Sequence, residues 1–133
     1  MKPMPLGTRA QVEHRVEHEH TLAKFHPDLP PVLSTPHMIG WMEWACYQAA
    51  EPFCEGDETT VGTAIHVEHV AATGEGALVQ AEAVLEEIQG KRYIYRVRAW
   101  DEHHEIGRGT VHRAFVNVGR FMKRVEGKRD ARG

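Results

Sequence analysis

The amino-acid sequence predicts an α+β fold in which one long central helix is wrapped by an antiparallel β-sheet of about five strands. One long segment has helical character, a strand-like segment precedes it, and further strand-like segments follow it with short turns between them. Strands joined by short connections pair antiparallel, and the apolar face of such a sheet needs a helix to cover it.

The first strand and the helix are predicted from local patterns. Residues 8–18 alternate between apolar or histidine side chains on one face and mostly charged side chains on the other, as expected for a strand. The helix should begin at Ser34-Thr35-Pro36, because a hydroxyl can cap the free amides and proline suits the first helical position. We expect this helix to end near Ala50.

The remaining strands occupy the second half of the chain. Alternating runs at residues 59–72, 77–88, 92–100 and 105–118 predict these strands. The segment from Gly119 onward should form a short basic tail with one helical turn. A long helix wrapped by an antiparallel sheet is the hotdog arrangement.

Composition limits the class of protein. The chain has 133 residues, of which 41% are hydrophobic and 26% charged, with a net charge of −3, and these values are typical of one globular domain spanning residues 1–133 with a basic tail from about 123. The acidic balance disfavours a nucleic-acid partner, and no apolar stretch is suited to cross a membrane. With only Cys46 and Cys54 and no export signal, we expect reduced thiols and a cytoplasmic location.

The helix carries one unusual charge. Residues 38–50 are apolar around most of the circumference, which is typical of a helix buried in a core or an oligomer interface. Glu43 is the sole charged residue of this segment, and its pKa should be raised unless another group pairs with it. Two interpretations remain open: Glu43 is an active-site carboxylate, or it pairs with an arginine or caps a subunit contact.

His69 raises a similar question. Strict alternation places His69 on the likely core face with Val61, Ile65 and Val67, and places Gly62 on the opposite face. His69 is then either a satisfied core histidine or a catalytic group. Gly62 is either a point where the backbone approaches a ligand or a simple bulge.

Ten histidines invite a metal hypothesis, which their spacing does not favour. His14 and His18 are roughly 13 Å apart along a strand, too far to share one ion. No HExxH or CxxC spacing is present. We therefore expect no metal site.

Two separated blocks carry a resemblance to a known family. The segment STPHMIGWMEWACYQAA, followed by VGTAIHVEHVAAT, resembles the fluoroacetyl-CoA thioesterase family of hotdog-fold hydrolases. The similarity extends from about residue 8 to residue 122. It implies a dimeric enzyme that hydrolyses a short acyl-CoA thioester, with coenzyme A as part of the substrate and no separate cofactor.

The resemblance also implies a site. The family's catalytic residues fall on Thr35, Glu43 and His69, and its active-site glycine falls on Gly62 as a substrate-binding residue. Thr35 and Glu43 are roughly 12 Å apart along a continuous helix, so they cannot touch. Either the helix begins later than Thr35, or the site spans two subunits of a homodimer with His69 between them. We expect the second arrangement, and pairing into a dimer of dimers is left open.

Two other functions compete on the same fold. A non-catalytic module would bind acyl-CoA without releasing thiol. A hotdog hydratase or dehydratase would use Glu43 and His69 as an acid/base pair over the acyl chain. A metal enzyme is the weakest alternative.

Overall fold

The computed structural model describes residues 1–132. Its regular elements are β1 (Arg9–Arg15), α1 (Thr35–Ala50), β2 (Glu58–His69), β3 (Leu78–Gln89), β4 (Arg92–Trp100), β5 (Glu105–Asn117) and α2 (Val118–Arg132), with short 3₁₀ helices at His18–His20, Leu22–Lys24 and Glu51–Phe53. The predicted fold class is confirmed: five antiparallel strands curl around the long helix α1.

The sheet order is β1-β3-β4-β5-β2, so β1 and β2 form its edges. The strands β3, β4 and β5 pair consecutively, as their short turns predict. β2 differs from this scheme because it pairs with β5 instead of β3. The chain after β2 runs past the segment that leads into α1, where Val32 forms a bridge with Gly74, and this crossing carries it to the far side of the sheet.

Helix α1 begins and ends where the sequence predicts. Ser34 is the N-cap, and its Oγ accepts a hydrogen bond from the His37 N–H at 3.3 Å, while Pro36 lies in the first turn. One face of the helix packs on the sheet and is almost fully buried; its members are Met38, Met42, Ala45, Cys46 and Ala49. Part of the helix surface is exposed to solvent, because the Trp44 side chain is 48% exposed.

Three predicted boundaries are wrong. The strand predicted at residues 59–72 ends at His69. The first strand ends at Arg15 instead of residue 18, because the chain turns into the 3₁₀ helix His18–His20. The tail forms the helix Val118–Arg132 instead of a single turn. Its start is fixed by Asn117, whose Oδ1 accepts the Arg120 N–H at 3.0 Å, in the manner of a helix cap. No helix among residues 1–132 combines the length and apolar character needed to cross a bilayer.

Candidate active site

Thr35 and His69 are brought into direct contact. Thr35 is the first residue of α1 and His69 is the last residue of β2, and the Thr35 Oγ1 lies 2.8 Å from the His69 Nδ1. Ser34, and not Thr35, provides the hydroxyl that caps α1. The Thr35 hydroxyl is instead available to donate to the imidazole.

The surroundings of His69 favour a neutral ring. Burial lowers the pKa of His69 below its ordinary value of 6.5. Its Nε2 atom is also buried, with no hydrogen-bond partner within residues 1–132. In the tautomer whose proton is on Nε2, Nδ1 accepts the Thr35 hydroxyl proton, and in this form His69 can act as a base at neutral pH.

A β-bulge changes which residues of β2 face the helix. The pairing of β2 with β5 shifts register between Gly62 and Ala64, so strict alternation fails there. On the N-terminal side of the bulge, Thr60 and Gly62 face α1; on the C-terminal side, His69 does. The prediction that Gly62 and His69 lie on opposite faces is therefore wrong, because the extra residue reverses the alternation.

Glu43 is held by a buried arginine. The Arg113 Nη1 donates to the Glu43 Oε2 at 2.9 Å. Arg113 is only 7% exposed and is fixed by Thr60, whose Oγ1 accepts from Nε at 3.2 Å and whose carbonyl accepts from Nη2 at 2.8 Å. Glu43 thus does pair with an arginine, which was one of the two interpretations left open, and this pairing does not decide against an active-site role. The pair also lines a cavity of about 260 Å³ beside Trp44, so the carboxylate remains accessible.

The Glu43 carboxylate leaves no room for a side chain at position 62. A Cβ atom at Gly62 would lie 2.8 Å from the Glu43 Oε2, closer than side-chain carbons normally approach. The absence of a side chain lets the carboxylate lie against the backbone of β2. Gly62 therefore lies next to Glu43 and also adjoins the bulge.

Arg113 was missed by the sequence analysis. Alternation along β5 places it on the same face as the core residue Val111 and the partly buried Phe115. A charged residue on an apolar strand face is the signal that identifies it, by the same logic that singles out Glu43.

The candidate residues form two groups in one chain. Thr35 and His69 make one group, and Glu43, Gly62 and Arg113 make the other. α1 is continuous from Thr35, so a later helix start is excluded and the two groups are roughly 12 Å apart along the helix.

A cavity with mainly aliphatic lining residues adjoins the first group. It has a volume of about 390 Å³ and contains Thr35 and His69. Its other walls are aliphatic: Leu22, Val32, Leu33, Val70, Ala71 and Ala72. A short acyl chain could therefore lie here with its carbonyl next to the Thr35 hydroxyl.

Other chemistry receives no support from the described residues. Within residues 1–132, no three His, Cys, Asp or Glu side chains converge on a possible metal position. Burial raises the pKa of the Cys46 thiol to about 12, so this cysteine is not a nucleophile at neutral pH. A larger cavity of about 650 Å³ includes none of Thr35, Glu43 and His69.

Comparisons with known proteins identify the family of the chain. A sequence profile described as fluoroacetyl-CoA-specific thioesterase matches residues 16–119. The fluoroacetyl-CoA thioesterase of Streptantibioticus cattleyicolor is 37% identical over 134 residues, covering 96% of this chain and 96% of that protein.

Solved structures show the same fold. The fluoroacetyl-CoA thioesterase FlK superposes with a TM-score of 0.89 at 37% identity, covering 96% of this chain and 98% of that chain. A hot-dog-like protein from Thermanaerovibrio acidaminovorans superposes with a TM-score of 0.87 at 21% identity, covering 94% and 93% of the two chains. The second likeness concerns the fold alone.

Proposed function

The chain belongs to the fluoroacetyl-CoA-specific thioesterase family, and we propose that it hydrolyses a short acyl-CoA thioester to the free acid and coenzyme A, using Thr35, Glu43 and His69. The observation that carries the site assignment is the 2.8 Å contact between the Thr35 hydroxyl and the His69 Nδ1. A hydroxyl in contact with a neutral imidazole is the usual arrangement of a nucleophile and its base.

The contact favours Thr35 as the nucleophile. The Thr35 Oγ attacks the thioester carbonyl while its proton passes to the His69 Nδ1. The C–S bond then breaks, and the protonated His69 returns the proton to the departing coenzyme A sulfur. Because burial disfavours a charged ring, the return of this proton is favourable. Water finally hydrolyses the ester formed on Thr35.

Glu43 is suited to the hydrolytic half of the reaction. Its carboxylate can accept a proton from the attacking water, and Arg113 fixes its orientation through the 2.9 Å contact. An alternative is that the Glu43 carboxylate attacks the carbonyl itself. Mass spectrometry of enzyme quenched during turnover separates the two, because the acyl group would be found on Thr35 in the first case and on Glu43 in the second.

A homodimer would join the two groups of residues. β2 is a long edge strand, and Ile65 on it remains 40% exposed, while Trp44 on the neighbouring helix is 48% exposed. In such a dimer, β2 would pair antiparallel with β2 of a second copy of the chain, and the two-fold axis would pass between Ile65 and His66. Gly62 would then lie opposite the partner's His69, to within one residue. Each site would then take its Thr35–His69 pair from one subunit and its Glu43 group from the other.

The substrate is proposed to be a short acyl ester of coenzyme A. The aliphatic walls of the 390 Å³ cavity favour an apolar acyl group, and fluoroacetyl-CoA, named for the relatives, is one candidate. The reaction needs only water besides the ester, so no cofactor is proposed. Unpaired Cys46 and Cys54 support the proposal of a cytoplasmic location.

Thiol release from a panel of acyl-CoA esters tests the proposal. The panel extends from acetyl-CoA and fluoroacetyl-CoA to medium-chain and aromatic esters, with Glu43→Gln as the control that keeps shape and removes charge. Release that Glu43→Gln abolishes supports the proposal. Binding without release by the folded protein would indicate an acyl-CoA binding module, and loss of enoyl-CoA absorbance without thiol release would indicate a hydratase.

A further inference from the structure

A buried side-chain hydrogen bond joins Thr73 to Asp101. The Thr73 hydroxyl donates to the Asp101 Oδ2 at 2.7 Å, and the two residues are 5% and 9% exposed. Asp101 lies in the turn between β4 and β5, and its other oxygen accepts the backbone N–H groups of His103 and His104 at 2.8 and 2.9 Å. The carboxylate therefore accepts three hydrogen bonds, and through it Thr73 is bonded to the turn between β4 and β5.

The backbone of Thr73 extends this connection to the helix start. Its carbonyl accepts the Leu33 N–H at 2.8 Å, and Val32 forms a bridge with Gly74. Leu33 is 1% exposed and directly precedes the helix cap Ser34, which in turn precedes Thr35. The position of the Thr35 hydroxyl thus depends on where the Thr73 carbonyl is held.

The chain between His69 and Thr73 connects the imidazole to the same Thr73 backbone. Only the residues Val70, Ala71 and Ala72 separate His69 from Thr73, and the Val70 N–H donates to the Ile106 carbonyl at 2.8 Å. The segment from His69 to Thr73 therefore has one end on the imidazole and the other on the residue that holds the chain before Thr35. This segment also lines the cavity of about 390 Å³ that contains Thr35 and His69.

We infer that Thr73 and Asp101 are positioning residues, which set the separation between the Thr35 hydroxyl and the His69 imidazole through the Leu33 backbone. Neither residue contacts the proposed reacting atoms. The inference rests on the proposed function, because it concerns the geometry of the Thr35–His69 pair during turnover.

The test compares three variants by thiol release. Thr73→Val removes the hydroxyl and keeps the branched shape, Thr73→Ser keeps the hydroxyl, and Asp101→Asn keeps the shape of the acceptor and removes its charge. Small displacements of reacting groups lower rates by up to about 100-fold, so we expect Thr73→Val and Asp101→Asn to lose about 10- to 100-fold in kcat with KM within about twofold. Thr73→Ser should restore most of kcat.

A matched variant separates positioning from lost stability. Val79→Ala removes a buried core side chain on β3, and Val79 is 1% exposed. It should lower the melting temperature while leaving kcat near the parent value. The inference is overturned if kcat of Thr73→Val falls no further than kcat of Val79→Ala, or if Thr73→Ser fails to restore it.

Measuring His69→Ala in parallel distinguishes failure of the positioning role from failure of the proposed function. An inactive His69→Ala with a normal Thr73→Val would contradict the positioning role and leave the proposed function intact. A fully active His69→Ala would contradict both, since no Thr35–His69 geometry would then matter for turnover.

Discussion

The substitution Gly62→Ala should damage the site by pushing on a single carboxylate. The added Cβ would lie 2.8 Å from the Glu43 Oε2, whereas ordinary contacts of this kind begin at 3.4 Å, so a displacement of about 0.6 Å is required. Glu43 cannot swing away freely, because Arg113 binds the same oxygen at 2.9 Å and is itself held by Thr60. The displacement is therefore shared between the carboxylate and its arginine partner.

The expected magnitude follows from that displacement. A misplacement approaching 1 Å in a catalytic group can lower rates by about 100-fold, so we expect Gly62→Ala to lose about 10- to 100-fold in kcat/KM. The backbone of Gly62 does not have the positive φ that requires glycine, so the fold should tolerate alanine with a change in stability of about 1 kcal/mol or less.

The assay is thiol release with the preferred ester, measured for Gly62→Ala, Glu43→Gln and the double variant. If Gly62 acts through Glu43, the double variant should be no slower than Glu43→Gln alone. Gly127→Ala, where a Cβ meets no atom within 4 Å, is the control and should match the parent. A Gly62→Ala enzyme with kcat/KM within twofold of the parent would refute the close contact as a feature of the active enzyme.

Three further predictions use individual ionisable groups. Because burial lowers the pKa of His69, activity should decline on acidification only below the ordinary histidine value of 6.5, and a pH–rate profile with an acidic limb above that value would contradict this assignment. Burial alone would raise the pKa of Asp101, but hydrogen bonds from His103, Thr73 and His104 hold that pKa below 3.8. The ionised carboxylate therefore stabilises the fold at pH values above the pKa of the unfolded chain. This stabilisation is lost as the pH falls through the pKa of the folded protein. Asp101→Asn should accordingly unfold about 2 kcal/mol more easily in urea at pH 7, with the difference shrinking below pH 3.8; a constant difference would oppose this linkage. With its thiol buried and its pKa raised to about 12, Cys46 should resist iodoacetamide in the folded protein at pH 8, and rapid labelling there would show that α1 opens.

Local patterns predicted much of the fold. The bounds of α1 match because capping residues and a following proline act within one helical turn. β4 matches at Arg92–Trp100, since its alternation and flanking turns are also local signals. The partnership of β2 with β5 was not predicted, because it depends on where the chain crosses the helix start near Gly74.

The candidate site was predicted in its residues and only partly in its geometry. Glu43 and His69 stand out as polar groups in apolar segments, and the structure keeps that character. The bulge after Gly62 leaves no signal in alternation alone, since one extra residue shifts the face of every residue beyond it. Arg113 is a charged exception on an apolar face of β5, but its pairing with Glu43, 70 residues away in the sequence, depends on the tertiary fold.

Mixing two inactive variants tests whether the active site lies between two subunits. Glu43→Gln and His69→Ala proteins are prepared separately, unfolded and refolded together, and assayed for thiol release. If each site takes Glu43 from one subunit and His69 from the other, random mixing makes half of the dimers mixed, each with one intact site, and recovers about a quarter of the parent activity. If both residues act within one subunit, every site in the mixture carries a lesion, and activity no higher than that of the separate variants would contradict the account.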